Sequence, residues 1–189
     1  MECFLAECDA DPVIQIMASD GSSLLHEWYC CDKHAQMAWE RCLSQLIFRT
    51  PCPRLDDAYV PAYLEMMHVD RRRDTQYAFL CESGGSRRFS WNLGYAEAIH
   101  LYNRIKYGVM SGRQTYDFIH RLTSALGGDI ARIVVEGKDE QGLFQAVVQI
   151  AQSERIVNVD CRPSDALIMS IVCNLPLLVR EDLLPKKPK

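Results

Sequence analysis

At 189 residues the chain is long enough for one well-filled core with an appendage, or for two small domains; the second arrangement is expected. A composition 48% hydrophobic and 24% charged excludes disordered and fibrous classes, and no apolar run approaches the length of a transmembrane helix. The net charge of −4 argues against nucleic-acid binding through overall charge, although basic residues cluster at Arg71-Arg72-Arg73, Arg87-Arg88, Arg104/Lys106 and Lys186-Lys187-Pro188-Lys189.

The chain opens Met1-Glu2-Cys3, without the basic region and apolar core of a secretory signal, so a cytoplasmic location is expected. Nine cysteines is an odd and high count for that compartment, and four of them fall in the first 31 residues. Cys3-x4-Cys8 precedes a strand-like Val13–Met17, a turn at Ser19-Asp20-Gly21-Ser22 and then Cys30-Cys31-Asp32-Lys33-His34. Two ligand pairs on tight turns joined by a hairpin are the layout of a zinc ribbon, because zinc takes four soft or borderline ligands in a tetrahedron. Cys3, Cys8, Cys31 and His34 are the expected Zn2+ ligands, with Cys30 or His26 open as substitutes and packed, metal-free thiols as the structural alternative. The second pair resembles small ribbons that end Leu-Cys-x-x-His-Ala.

An apolar stripe of Ala35, Ala38, Trp39, Cys42, Leu46 and Ile47 predicts a helix over 34–48, completing a module over 1–50. Two prolines within Thr50-Pro51-Cys52-Pro53-Arg54 stop it and mark a linker at 51–57. A second domain follows over 58–185, with a basic tail at 186–189. Strands are predicted at Tyr59–Val69, which Pro61 marks as an edge, at Gln76–Cys81 and at Arg88–Trp91. Two helices come next, Tyr95–Tyr107 with Ala98, Ile99, Tyr102 and Ile105 inward, and Thr115–Leu126 with Phe118, Ile119, Leu122 and Leu126 inward. Gly127-Gly128 ends the second. Strands at Ile130–Glu136, Leu143–Ala151 and Arg155–Asp160, a helix from Pro163, and a short strand at Leu177–Val179 complete an α+β pattern, a mixed β-sheet with helices packed on it.

The densest chemistry lies where the last long strand meets its helix. Pro163 suits a first helical position, and Ser164 and Asp165 favour a helix amino terminus. Read locally, they cap the helix and Arg162 pairs with a carboxylate. Asp160-x-Arg162-Pro163-Ser164-Asp165-Ala166 also resembles the signature of the bifunctional nuclease family. Leu93-Gly94-Tyr95-Ala96-Glu97-Ala98-Ile99 is similar to its Ile-Gly-x-x-Glu-Ala helix opening, and Arg113-Gln114-Thr115-Tyr116-Asp117-Phe118 corresponds to its Arg-Pro-x-x-His-Asp segment. Leu175-Pro176-Leu177-Leu178-Val179 resembles its final strand, so the likeness spans roughly residues 58 to 184. This chain has Gln114 and Tyr116 where the family usually has proline and histidine.

The resemblance implies a nuclease acting on DNA, RNA or both. It implies Glu97, Asp117, Asp160 and Asp165 as bases or oxygen ligands for Mg2+ or Mn2+, and Arg113, Arg162 and Ser164 as phosphate-binding groups. A homo-oligomer is expected on the same ground. The competing expectation is a buried ion-pair network in a non-catalytic regulatory or interaction protein, with the zinc-stabilised module docking a protein partner. His68, His100 and His120 read as ordinary surface or core residues, though His120 lies one helical turn beyond Tyr116.

Overall fold

The computed structural model describes residues 3–5, 8–19, 24–38, 58–83, 87–107 and 114–185. Arg113, Cys42, Cys52, the expected linker at 51–57 and the basic tail lie outside them, and the expected helix over 34–48 is described only at 35–38. The elements are β1 (Ile14–Ser19), β2 (Leu24–Cys30), β3 (Tyr59–Asp70), β4 (Thr75–Glu82), β5 (Arg88–Leu93), α1 (Tyr95–Tyr107), α2 (Thr115–Ala125), β6 (Asp129–Lys138), β7 (Phe144–Gln152), β8 (Arg155–Cys161), α3 (Pro163–Cys173) and β9 (Leu177–Arg180). The fold is the expected α+β, a mixed and mostly antiparallel sheet with helices packed on it.

The strands follow the order β2-β1-β3-β9-β6-β7-β8, with β4 on β3 and β5 on β4; β6 and β9 are the parallel pair. At twelve residues β3 is long enough to serve several neighbours: Tyr59–Pro61 pairs with β9, Met66–Asp70 with β1, and Ala62–Asp70 runs along β4. The expected edge strand is therefore central. Pro61 is tolerated because it sits near the start of the strand, where a missing N–H costs little, while its carbonyl still accepts the Ser83 N–H at 2.8 Å. Among the described residues the edges belong instead to β2, β5 and β8.

Because β1 is hydrogen-bonded to β3, the amino-terminal hairpin shares one sheet with everything that follows. Alternation along β1 places Met17 in the main core, while Ile14, Ile16 and Ala18 turn to a smaller cluster with Cys3, Cys30, Cys31, Ala38 and Met66.

The main core lies under the helices. α3 is apolar on nearly every side and packs against α1, α2, β6, β7 and β9, burying Ser164, Ala166, Leu167, Ile168, Met169 and Ser170. Asn174 in the left-handed region (φ 54) closes it. α1 buries Ala98, Leu101, Arg104 and Ile105; Ile99, expected inward, is 41% exposed, and Arg104 takes inward space because its guanidinium finds Asp117 and the Val172 carbonyl. α2 departs further. Its whole expected inward stripe, Phe118, Ile119, Leu122 and Leu126, is exposed, and no residue of the helix is buried. Gly127 (φ 76) ends it in a Schellman turn, with Gly128 N–H donating to the Thr123 carbonyl at 3.0 Å.

Candidate metal centre and helix-junction site

The two cysteine-bearing turns meet at the end of the hairpin. Phe4 N–H donates to the Tyr29 carbonyl at 2.7 Å, fixing the first turn against β2, and His34 N–H donates to the Cys31 carbonyl at 3.1 Å, forming the second. The ligand atoms of Cys3, Cys8, Cys31 and His34 all lie within 4.8 Å of one another. Cys3 Sγ is 3.5 Å and Cys31 Sγ 3.4 Å from His34 Nδ1, and Cys8 Sγ is 3.8 Å from Cys31 Sγ. A tetrahedral zinc with bonds of about 2.0–2.3 Å sets ligand–ligand edges at roughly 3.5–3.8 Å, so the donor set fits a metal such as zinc. Burial opposes ionisation of Cys3, but hydrogen bonding from the backbone at Leu5 and Cys31 and from His34 and Cys8 prevails and brings its thiol down to about 6. Cys30 faces away, with Sγ 3.6 Å from the Ile14 carbonyl and its thiol pushed up to about 12, chiefly by burial. His26 stacks on Trp28, ring centroids 5.3 Å apart, and is not in the group.

At the second site, β8 ends at Cys161 and Arg162 stays extended (φ −72, ψ 151) as the residue before α3, a geometry that the following Pro163 enforces. Its guanidinium therefore folds over the first turn of the helix. Nε and Nη2 donate to the Asp165 carboxylate at 2.8 and 2.9 Å, and Nη2 also lies 2.6 Å from Glu97 Oε1 on α1. Tyr116 on α2 donates its hydroxyl to Asp165 Oδ1 at 2.6 Å. One network thus clips the first turns of α1, α2 and α3 together. Burial works to raise the Asp165 pKa, but Arg162 and Tyr116 outweigh it and hold the carboxyl below its usual range. The Tyr116 hydroxyl moves the other way, raised by burial and by the Asp165 charge it faces. A Cβ at Gly94 would lie 2.2 Å from Glu97 Oε2, so a side chain there would shift the Glu97 carboxylate.

Behind Tyr116 lies a second polar group. The His100 ring stands edge-on to Tyr116 at 4.7 Å, and Arg104 Nη1 donates to Asp117 Oδ1 at 3.1 Å. His100 Nε2 and Asp117 Oδ2 are buried without hydrogen-bond partners. Burial lowers the His100 pKa, partly offset by Asp117.

Asp160 takes a different course. It is exposed and, with Arg162 and Ser164, lines an open cleft of about 1240 Å³ whose other walls include Trp91 and Asn92 of β5, Lys138 at the end of β6, Phe144 at the start of β7, and Arg180. Lys138 Nζ lies 4.5 Å from the Phe144 ring centroid.

The expected residues are thus only partly brought together. Glu97, Arg162 and Asp165 meet; Asp117 pairs with Arg104; Asp160 and Ser164 face the cleft; Arg113 lies outside the described residues. The carboxylates do not fit a cation cage, because Asp165 and Glu97 are engaged by Arg162. Among the described residues, the Cys/His set is the group of three or more whose ligand atoms converge. His100 and Arg104 were not expected at the site. Their spacing from Glu97 on α1, i+3 and i+7, puts all three on one helical face and is the signal that points to them.

A mixed sheet carrying three helices whose first turns are tied at an Asp-x-Arg-Pro-Ser-Asp junction defines a bifunctional-nuclease-like domain. The family model for the bifunctional nuclease domain matches residues 78–189, and the chain belongs to that family. The match begins within β4, so the Cys/His centre and β1 to β3 precede it. No curated protein matches the chain.

Proposed function

We propose that the protein is a nuclease that cleaves phosphodiester bonds of DNA or RNA in the cleft beside the start of α3. The observation that carries this reading is the convergence of Asp160, Arg162, Ser164 and the α3 amino terminus on one open cleft, with Lys138 and Arg180 on its walls. The first amides of a helix and the positive end of its dipole attract a phosphate. Arg162 uses Nε and Nη2 on carboxylates and has Nη1 left for a phosphate oxygen; its side chain is 65% exposed. Asp160 is the group placed to take a proton from an attacking water, and Lys138 and Arg180 supply charge along the bound strand. Glu97, Asp165 and Tyr116 hold Arg162 in position. Mg2+ or Mn2+ stays an expectation of the reaction, and no step is assigned to it.

Zn2+ in the Cys3/Cys8/Cys31/His34 centre is structural in this reading: it cross-links residues flanking the hairpin and presents a surface for nucleic acid or a protein partner. Reduced thiols fit a cytoplasmic setting, and all seven described cysteines are free. No described helix is long and apolar enough to cross a membrane.

A second reading is favoured by one observation. The Glu97–Arg162–Asp165–Tyr116 network is closed on itself, as in a structural clip for a non-catalytic regulatory protein. The test is incubation of the zinc-replete protein with labelled single- and double-stranded DNA and RNA, with Mg2+, with Mn2+ and with chelator, beside a folded Asp160→Asn variant. Cleavage by the parent that the variant loses supports the nuclease; no cleavage supports the regulator, and equal cleavage by both removes Asp160 from the reaction.

A further inference from the structure

We infer that the seam between the amino-terminal hairpin and α1 is a docking pocket for a protein partner, taking one tryptophan or tyrosine side chain from a short segment flanked by acidic residues. The pocket is separate from the cleft, and nothing in the inference depends on cleavage there.

The pocket follows from the register of the sheet. Tyr29, Gln15 and Val69 are direct partners across β2, β1 and β3, so their side chains share one face. Met17, two residues beyond Gln15, shows that this face is the one turned to the helices. Over it α1 presents Tyr95, Ala98, Ile99 and Tyr102, which are spaced i, i+3, i+4 and i+7 and so lie on one side of the helix. Sheet and helix enclose a cavity of about 180 Å³. The outward exposure of Ile99 (41%) and Tyr95 (57%) is thereby explained, because both line an opening rather than a filled core.

Its polar groups define what can enter. Gln15 is only 7% exposed, and its Nε2 donates to Glu27 Oε1 and, at 3.2 Å, to the Tyr29 hydroxyl oxygen. The carboxylate accepts only, which fixes which end of the amide is nitrogen. Oε1 accepts no hydrogen bond from the described residues, so a buried residue lining the pocket offers an acceptor that an entering N–H or O–H satisfies. Glu27 is already held by the Tyr29 hydroxyl at 2.6 Å and Lys106 Nζ at 2.8 Å. Cationic charge comes from Arg71, exposed at the pocket and without a side-chain partner among the described residues, whereas Arg72 pairs with Asp32 and Arg73 with Asp70.

Size selects the occupant. Pockets for drug-sized molecules run to about 300–1,000 Å³, and this smaller one suits a single large side chain. Tryptophan and tyrosine combine an apolar body for the Tyr29, Tyr95 and Tyr102 walls with the donor that Gln15 lacks, and such residues are the usual anchors of protein interfaces. Acidic neighbours in the partner complement Arg71. Gln15, Tyr29 and Arg71 all precede the segment matched by the family model, so the pocket arises from joining the hairpin to the domain.

The test is an array of heptapeptides with every amino acid in turn at the centre and Asp-Glu, Ser-Gly or Lys-Lys flanks, probed with the full-length, zinc-replete protein. Affinities of the best peptides are then read by fluorescence anisotropy. Tryptophan and tyrosine centres with acidic flanks are expected to bind best, with Kd below about 100 µM, and phenylalanine about fivefold more weakly because the Gln15 acceptor stays unpaired. Tyr95→Ala is expected to weaken binding about tenfold, and Arg71→Glu to do the same while turning the flank preference from acidic to basic; both positions are exposed, so folding is not at stake. An array without a central aromatic preference, or binding indifferent to either variant, overturns the inference. Equal binding of N-acetyltryptophanamide also overturns it and assigns the pocket to a small free molecule. Tighter binding of a labelled oligothymidylate, lost in Arg71→Glu, overturns it in favour of nucleic acid.

Discussion

α2 and α3 are both eleven residues long, follow one another in the helical layer, and share the Tyr116–Asp165 hydrogen bond, yet they meet solvent in opposite ways. α3 is apolar on almost all sides and lies between the sheet and the other helices. α2 is strongly amphipathic and turns its apolar side outward. The difference teaches what a helical pattern reports. Apolar residues on every face require burial within the chain, because no single contact surface could cover them, whereas an apolar stripe requires only that something covers one side.

The largest test of this contrast is truncation in α3. Leu167 is 1% exposed, so Leu167→Ala is expected to cost about 3 kcal/mol of unfolding free energy, read by urea denaturation at constant m-value. The link between the helices comes next. Tyr116→Phe removes one donor from a partly buried carboxylate and is expected to cost about 1 kcal/mol, measured in the same way.

Acid sharpens the same link. The folded-state pKa of Asp165 lies below its unfolded value, so its contribution to stability is fully present above the unfolded carboxylate range and is lost as pH falls through the folded value. The parent is therefore expected to lose more stability on acidification than Asp165→Asn, seen as a difference in the slope of melting temperature against pH below neutrality. The smallest effect belongs to the exposed helix: Leu122→Ala in dilute, monomeric protein should change stability by no more than about 0.5 kcal/mol, and a loss like that of Leu167→Ala would show that the stripe is packed within one chain.

Element positions were legible in the chain because periodicity and breakers are local. Gly127-Gly128 ends α2 and Pro163 opens α3 where expected, and each strand after Tyr59 begins and ends within two residues of its expected place. Neighbour relations were not legible. Pro61 marked β3 as an edge, but a proline near the start of a strand is compatible with a central position, and nothing local records that β9 returns to pair there. The candidate metal centre was readable because its four residues lie on two short turns that flank one hairpin. The junction was harder. Asp160 and Asp165 are five residues apart in the chain, but the strand end and the helix start send them to different surroundings, the cleft and the Arg162 clip. His100 and Arg104 join the site through the packing of α1 against α3, which no spacing in the Asp-Arg-Pro-Ser-Asp motif foretells.

The central position of β3 sets the order in which the molecule is made. Tyr59 and Val60 take their partners from Arg180 and Val179, more than a hundred residues later. β9 also supplies the link from β3 to β6, so the middle of the sheet stays open until β9 has been made. The amino-terminal hairpin with its metal ligands, and the β3–β4–β5 meander, can form from nearby segments during synthesis. Joining these strands waits for β9, and until it happens the apolar Val60, Leu178 and Val179 lack the cover that they have in the folded sheet.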